Sequence, residues 1–197
     1  MKYYPLLFFF LLLSGCSTMA GNLTDSQTKS EINIIEDVES DMSVISYDYD
    51  NMDRGNHEYY DQPVVVQQTI ESDSLTRGTV ILFEEESGVE KISRIVGLPK
   101  EKIQIKKGQV HINNQLLETF YGKAHRAGLD MKQYSEAMEE VDADYDEKTV
   151  KETFEKDLNE IKLAEDEYFL ISDDWFRGDM KRVREDQILG IVLGYEK

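Results

Sequence analysis

Short apolar runs alternate with turn residues through most of the chain. Residues 43–49 read SVISYDY and predict a strand with Ile45, Tyr47 and Tyr49 on one face. Val64, Val65 and Val66 form a β-branched run, and residues 79–83, TVILF, read as a buried strand. Residues 92–96 alternate weakly and close on Gly97-Leu98-Pro99. Residues 103–106 and 110–112 alternate around Lys107-Gly108, the pattern of a hairpin. Asn113-Asn114 supplies a second turn, and residues 168–171 and 188–193 predict two late strands. Six or more short strands with turns between them imply an antiparallel β domain.

Residues 122–163 carry no strand pattern. Residues 131–141 predict a short helix with Asp130 available as its cap. Val150, Phe154, Leu158 and Ile161 recur at helical spacing and predict one face of a second helix. The acidic run 142–147 between them reads as a solvated loop and helix start. A helical insertion at 122–163 is therefore expected within a mainly β domain formed by residues 43–121 and 164–197.

The N-terminus has a different character. Lys2 precedes an unbroken apolar run, LLFFFLLL, at residues 6–13, and Leu13-Ser14-Gly15-Cys16 follows. The run is shorter than the about 20 residues that span a bilayer, and its proportions match the core of an export signal. Small residues before a cysteine resemble the lipobox of bacterial lipoproteins. That resemblance implies removal of residues 1–15 and lipid attachment at Cys16, the only cysteine in the chain. Two acyl chains suffice for stable anchoring, which places the mature chain on the extracytoplasmic face of the cell membrane. Residues 16–42 are rich in Ser, Thr, Asn, Asp and Glu and read as a flexible tether, with Ile32, Ile34 and Ile35 as a weak apolar cluster. A tether of that length has a root-mean-square reach of about 25–30 Å.

Charge narrows the function classes. The chain has 197 residues, 22 Lys+Arg against 40 Asp+Glu, and a formal net charge of −18. Such a surface repels phosphate, so no nucleic-acid partner is expected. A single cysteine excludes an internal disulfide and a Cys-rich metal site. His57, His111 and His125 lack zinc-ligand spacing, and no EF-hand or phosphate loop is present, so neither metal nor cofactor is expected. Trp175, the only tryptophan, reads as core or edge packing.

One ordered set of motifs remains. Arg77-Gly78-Thr79-Val80-Ile81-Leu82-Phe83 is followed by Ser93-Arg94-Ile95-Val96-Gly97-Leu98-Pro99 and then by IQIKKGQVHINNQLL. Tyr168-Phe169-Leu170-Ile171-Ser172-Asp173-Asp174 and Ile188-Leu189-Gly190 come later. In this order the chain resembles the bacterial signal peptidase I family, whose patterns read approximately RGDVVVF, KRVIGLPGD, a hairpin ending in ING, FVLGDNR and a closing I-x-G. The family-motif positions are Met52, Arg77, Gly78, Arg94, Gly97, Pro99 and Asp173. The resemblance implies an all-β core, a serine nucleophile followed by Met, and a lysine base that immediately precedes the Arg of the RIVGLP-like box.

Both catalytic positions depart from that pattern. Ser93 stands where the lysine belongs, and Asn51, before Met52, stands where the serine belongs. Ser172 replaces the glycine of the GDN box. An amide is a poor nucleophile, and a lysine serves as a base only when burial depresses its pKa. The substitute nucleophiles are Ser43 and Ser46, and the substitute base is Lys91, two residues from Ser93 on the same strand face. The expectation is a membrane-anchored, signal-peptidase-I-like lipoprotein that lacks catalysis. It would bind peptide segments of exported proteins, an active signal peptidase or other envelope partners. The alternatives are an active serine endopeptidase that processes signal peptides with a displaced dyad such as Ser46 and Lys91, and a structural lipoprotein with no peptide groove.

Overall fold

The computed structural model describes residues 21–71 and 73–197. The apolar N-terminal run and Cys16 lie outside the described residues. The protein is mainly β, with two helices and two sheets. In chain order the strands are β1 (Leu23–Thr24), β2 (Ile34–Ile35), β3 (Met42–Ser46), β4 (Pro63–Gln67), β5 (Val80–Glu84), β6 (Glu90–Gly97), β7 (Lys102–Lys106), β8 (Gln109–Ile112) and β9 (Gln115–Glu118). Helices α1 (Met131–Glu140) and α2 (Glu147–Phe154) follow, and then β10 (Leu158–Lys162), β11 (Glu167–Ile171), β12 (Met180–Arg184) and β13 (Ile188–Glu196).

The larger sheet runs β12-β11-β6-β5-β13-β4-β3, with β2 added beside β13. The smaller runs β1-β9-β8-β7-β10. All pairings are antiparallel except β1 with β9 and β2 with β13. Both faces of β5 are covered, which explains its unbroken apolar run. Val80 and Leu82 pack with Tyr47, Met52, Val66 and Ile92, while Ile81 and Phe83 pack with Leu75, Ile95, Leu170 and Ile188. A third core joins the smaller sheet to α2 and β11 through Ile103, Ile112, Phe154, Phe169 and Trp175. Trp175 is thus a core residue.

Gly97 ends β6 where the chain passes into the smaller sheet. A Cβ there would lie 2.5 Å from Ile103 Cδ1 and 2.9 Å from Phe169 Cβ, so the close approach of the two sheets requires glycine.

The helical region differs from its sequence pattern. Asp130 caps α1 through a capping box with Gln133, and Asp146 caps α2 by accepting from Lys148 N and Thr149 N. Val150 and Phe154 are buried, but α2 stops at Phe154. Leu158 and Ile161 belong instead to β10, opposite Ile105 and Ile103 of β7, with a register shift between them. A bulge adds a residue to a strand and so places positions three apart on one face, which imitates helical spacing. Strand β3 likewise ends at Ser46, earlier than the predicted 49, and leaves Tyr47 buried and Tyr49 exposed.

Residues 21–41, expected to be part of a flexible tether, are built into both sheets. Strand β1 extends the smaller sheet and β2 extends the larger. Between them Asp25 accepts from the backbone of Gln27 and Thr28 and from the Tyr121 hydroxyl at 2.5 Å. Backbone pairing, which composition does not report, orders this polar segment.

Candidate functional site

Strand β6 carries Ile92, Ser93 and Arg94 into the middle of the larger sheet. On one side it pairs with β5 along its length, with Leu82 opposite Ile92 and Ile81 opposite Ser93. On the other side β11 accompanies it only as far as Arg94, opposite Ile171. The loop after β3 brings Asn51 against the uncovered stretch. Asn51 Nδ2 donates to the Ile92 carbonyl at 2.9 Å and to Ser172 Oγ at 2.9 Å. Its Oδ1 accepts from the Tyr47 hydroxyl at 2.7 Å, and that hydroxyl accepts from Ile92 N at 3.0 Å. Ser93 Oγ lies 3.4 Å from Ser172 Oγ, which also accepts from Asp179 N at 3.3 Å.

Asn51 and Ser93 therefore meet at Ser172. Asn51, Ser93 and Ser172 are all buried. The array holds amides and hydroxyls and no amine or imidazole. Burial pushes the Tyr47 phenol up, so it stays a neutral donor. The Ile92 amide and carbonyl, which an incoming strand would use at this open edge, are both taken by side chains of the same chain.

The substitute residues are placed differently. Burial acts to lower the pKa of Lys91, but hydrogen bonds with Asp179 at 3.0 Å and Glu85 at 3.2 Å outweigh it and raise the pKa above the ordinary lysine value. An ammonium so held is an ion-pair partner, not a base. Ser46 is exposed opposite Pro63 at the sheet edge, and Ser43 stands opposite Val66. Among the described residues no hydrogen bond joins Lys91 to either serine.

The remaining motif residues form a buried ionic core beside this array. Arg94 grips Asp173 through two bonds of 2.7 and 2.6 Å, and Arg94 Nη1 donates to the Gly78 carbonyl at 2.7 Å. Arg54 reaches the same carboxylate at 2.6 Å. Arg94 also lies over the rings of Phe120 and Tyr121. Burial alone would raise the Asp173 pKa, but the two guanidiniums hold it below the ordinary value. Arg77 donates to the Val96 carbonyl and to Glu101. Met52 is fully buried in the core, and Pro99 sits in the turn after β6.

Three further groupings were not assigned a role from the sequence. Asp174, the second aspartate of Ser172-Asp173-Asp174, is fully buried and accepts from Arg126, Ala127 N, Phe176 N and Arg177 N. Asp50, Asp53 and His57 place ligand-type atoms within 4.8 Å of one another. Arg177 bonds to both of those aspartates and supplies positive charge there. His125 is buried, accepts from Gly128 N at 3.2 Å and has a pKa pushed down by burial. A cavity of about 1240 Å³ opens beside it. Its lining includes Ile32, Glu58, Leu116, Phe120, His125 and Tyr195, but not Asn51, Ser93 or Ser172.

The model of the family described as signal peptidase, peptidase S26, matches residues 38–177. The chain belongs to that family. A solved structure of a signal peptidase I from Enterococcus faecalis aligns with a TM-score of 0.40 and 19% identity, covering 59% of this chain and 94% of that one. The search of curated proteins finds no match. Among the described residues no helix is long and apolar enough to cross a membrane.

Proposed function

We propose that this protein is a non-catalytic member of the signal peptidase family, anchored by lipid at Cys16 on the extracytoplasmic face of the cell membrane. It binds extended peptide segments of exported proteins or of an envelope partner. The observation that carries this reading is the buried contact of Asn51 and Ser93 with Ser172. A hydroxyl attacks a peptide only when a neighbouring base takes its proton, and this array contains no base. The open edge of β6 is filled by Tyr47 and Asn51, so peptide docking falls to the cavity beside His125. At about 1240 Å³ it exceeds the usual small-molecule range of about 300–1,000 Å³.

The test is proteolysis by purified protein lacking residues 1–16, with a signal-peptide substrate in detergent. No cleavage is expected. Cleavage that disappears in Ser46→Ala or Lys91→Ala would instead establish the displaced-dyad endopeptidase. The anchoring part is tested separately. Mass spectrometry of the chain extracted from the membrane fraction should find it beginning at Cys16 with acyl chains attached, and an unmodified Cys16 there would rule out the lipid.

A further inference from the structure

Residues 21–35 form a strap that fixes where the N-terminus leaves the domain. The Gly21 carbonyl accepts from Gln115 Nε2 at 3.1 Å, and Asn22 Nδ2 donates to Glu118 at 2.9 Å. Leu23 and Thr24 then pair with Leu117 and Glu118. Thr28 Oγ1 donates to the Arg77 carbonyl at 3.4 Å, and Arg54 donates to the Ser30 carbonyl at 2.6 Å. Ile34 and Ile35 finish the strap against Tyr195 and Glu196. Gly78, at φ +88°, leaves the space that the strap crosses, since a Cβ there would lie 1.9 Å from Thr28 Oγ1.

The register of the smaller sheet defines what surrounds Gly21. Strand β1 runs parallel to β9, so Gly21 lies at the end where β9 begins. The Asn113-Asn114 turn, the start of β7 and the end of β10 share that end, because Ile103 pairs with Ile112 and Lys162 with Lys102. Lys100 pairs there with Glu165 at 3.1 Å and Lys102 with Glu160 at 2.9 Å. Two ion pairs therefore lie at this end.

We infer that this end of the smaller sheet is the membrane-facing surface, held against the bilayer by a short N-terminal span. The inference rests on lipid attachment at Cys16, proposed above. Five residue steps separate Cys16 from Gly21. At about 3.6 Å per step they reach at most about 18 Å, whatever their conformation. The opposite end is remote. The β5–β6 turn, which contains Ser87, lies beyond Glu90, and the eight residues of β6 extend about 25 Å to Gly97.

The experiment uses the full lipidated protein in phosphatidylcholine vesicles that carry a headgroup-attached quencher. A dye is placed at Glu165→Cys or at Ser87→Cys, one position per protein, with the Cys16 sulfur blocked by its lipid. The dye at residue 165 should be quenched several-fold more than the dye at residue 87. Twenty Gly/Ser residues inserted after Ala20 should abolish the difference, because the span then reaches about 25–30 Å on average. Equal quenching at native length, or a difference that survives the insertion, overturns the inference. Mass spectrometry of the same sample separates the two levels. Absence of lipid on Cys16 overturns the anchoring reading itself, whereas lipid present with equal quenching overturns only the orientation.

Discussion

At the residue scale, Asn51 acts as a structural amide. It satisfies the Ile92 carbonyl, Ser172 Oγ and the Tyr47 hydroxyl together. Asn51→Ala removes the short bonds to all three and leaves them only longer contacts, such as the Tyr47 hydroxyl to the Ile92 carbonyl at 3.4 Å, and a buried polar group that loses its partner costs about 1–3 kcal/mol. Urea unfolding should show a loss of about that size or more. A change within measurement error would mean that solvent reaches the array. Asp173 is a sharper case because it neutralises two guanidiniums. Asp173→Ala strands Arg94 and should cost about 3–5 kcal/mol. The pH dependence has a definite sign. The folded Asp173 pKa lies below its ordinary value of 3.8. Its stabilising contribution is therefore complete above 3.8 and is lost as pH falls from there through the lower folded value. The acid limb of the stability curve should flatten in Asp173→Asn, measured as urea midpoints from neutral pH downward. His125 acts in a higher window with the same sign. Burial lowers its folded pKa below 6.5, so its contribution declines as pH falls below 6.5.

At the element scale, the helices of the insertion depend on few anchors. Helix α1 has no buried residue, and α2 buries only Val150 and Phe154. Phe154 touches the Tyr134 and Phe176 rings and packs into the core of the smaller sheet. Phe154→Ala should cost about 3–5 kcal/mol, whereas Asp146→Ala removes only a cap and should cost about 1 kcal/mol. Chemical denaturation of the two variants checks the ranking, and an equal loss would mean that the helix is held by its cap. Legibility at this scale follows periodicity. Strand β5 was readable because TVILF is apolar on both faces. Strand β10 was not, because its bulge gives Leu158 and Ile161 a helical interval. Strands β1 and β2 hold two residues each, too few for any period, and their order comes from partners 94 and 161 positions away. The candidate site shows the same division. Local order is enough to single out Asn51, Ser93 and Arg94 as residues of interest. The bonds that join them to Ser172 and Asp173 span 79 to 121 residues and are set only by the fold.

At the scale of the whole molecule, two kinds of electrostatics oppose each other, and salt separates them. The net charge of −18 destabilises the compact chain through self-repulsion. The Arg94–Asp173 pair is buried and little screened, while pairs such as Lys100–Glu165 and Lys148–Glu152 are exposed and contribute about 0–1 kcal/mol each. Raising ionic strength shortens the Debye length from about 30 Å at 0.01 M to about 8 Å at 0.15 M. That change removes most of the long-range repulsion between surface carboxylates and leaves the buried core pair largely intact. The urea midpoint of the chain lacking residues 1–16 should therefore rise across that range. It should rise less in a variant with exposed acids of the run 142–147 changed to Gln or Asn, because less repulsion remains to be screened. A midpoint that falls with added salt would mean that the exposed ion pairs outweigh the net charge and that the acidic surface is no burden on the fold.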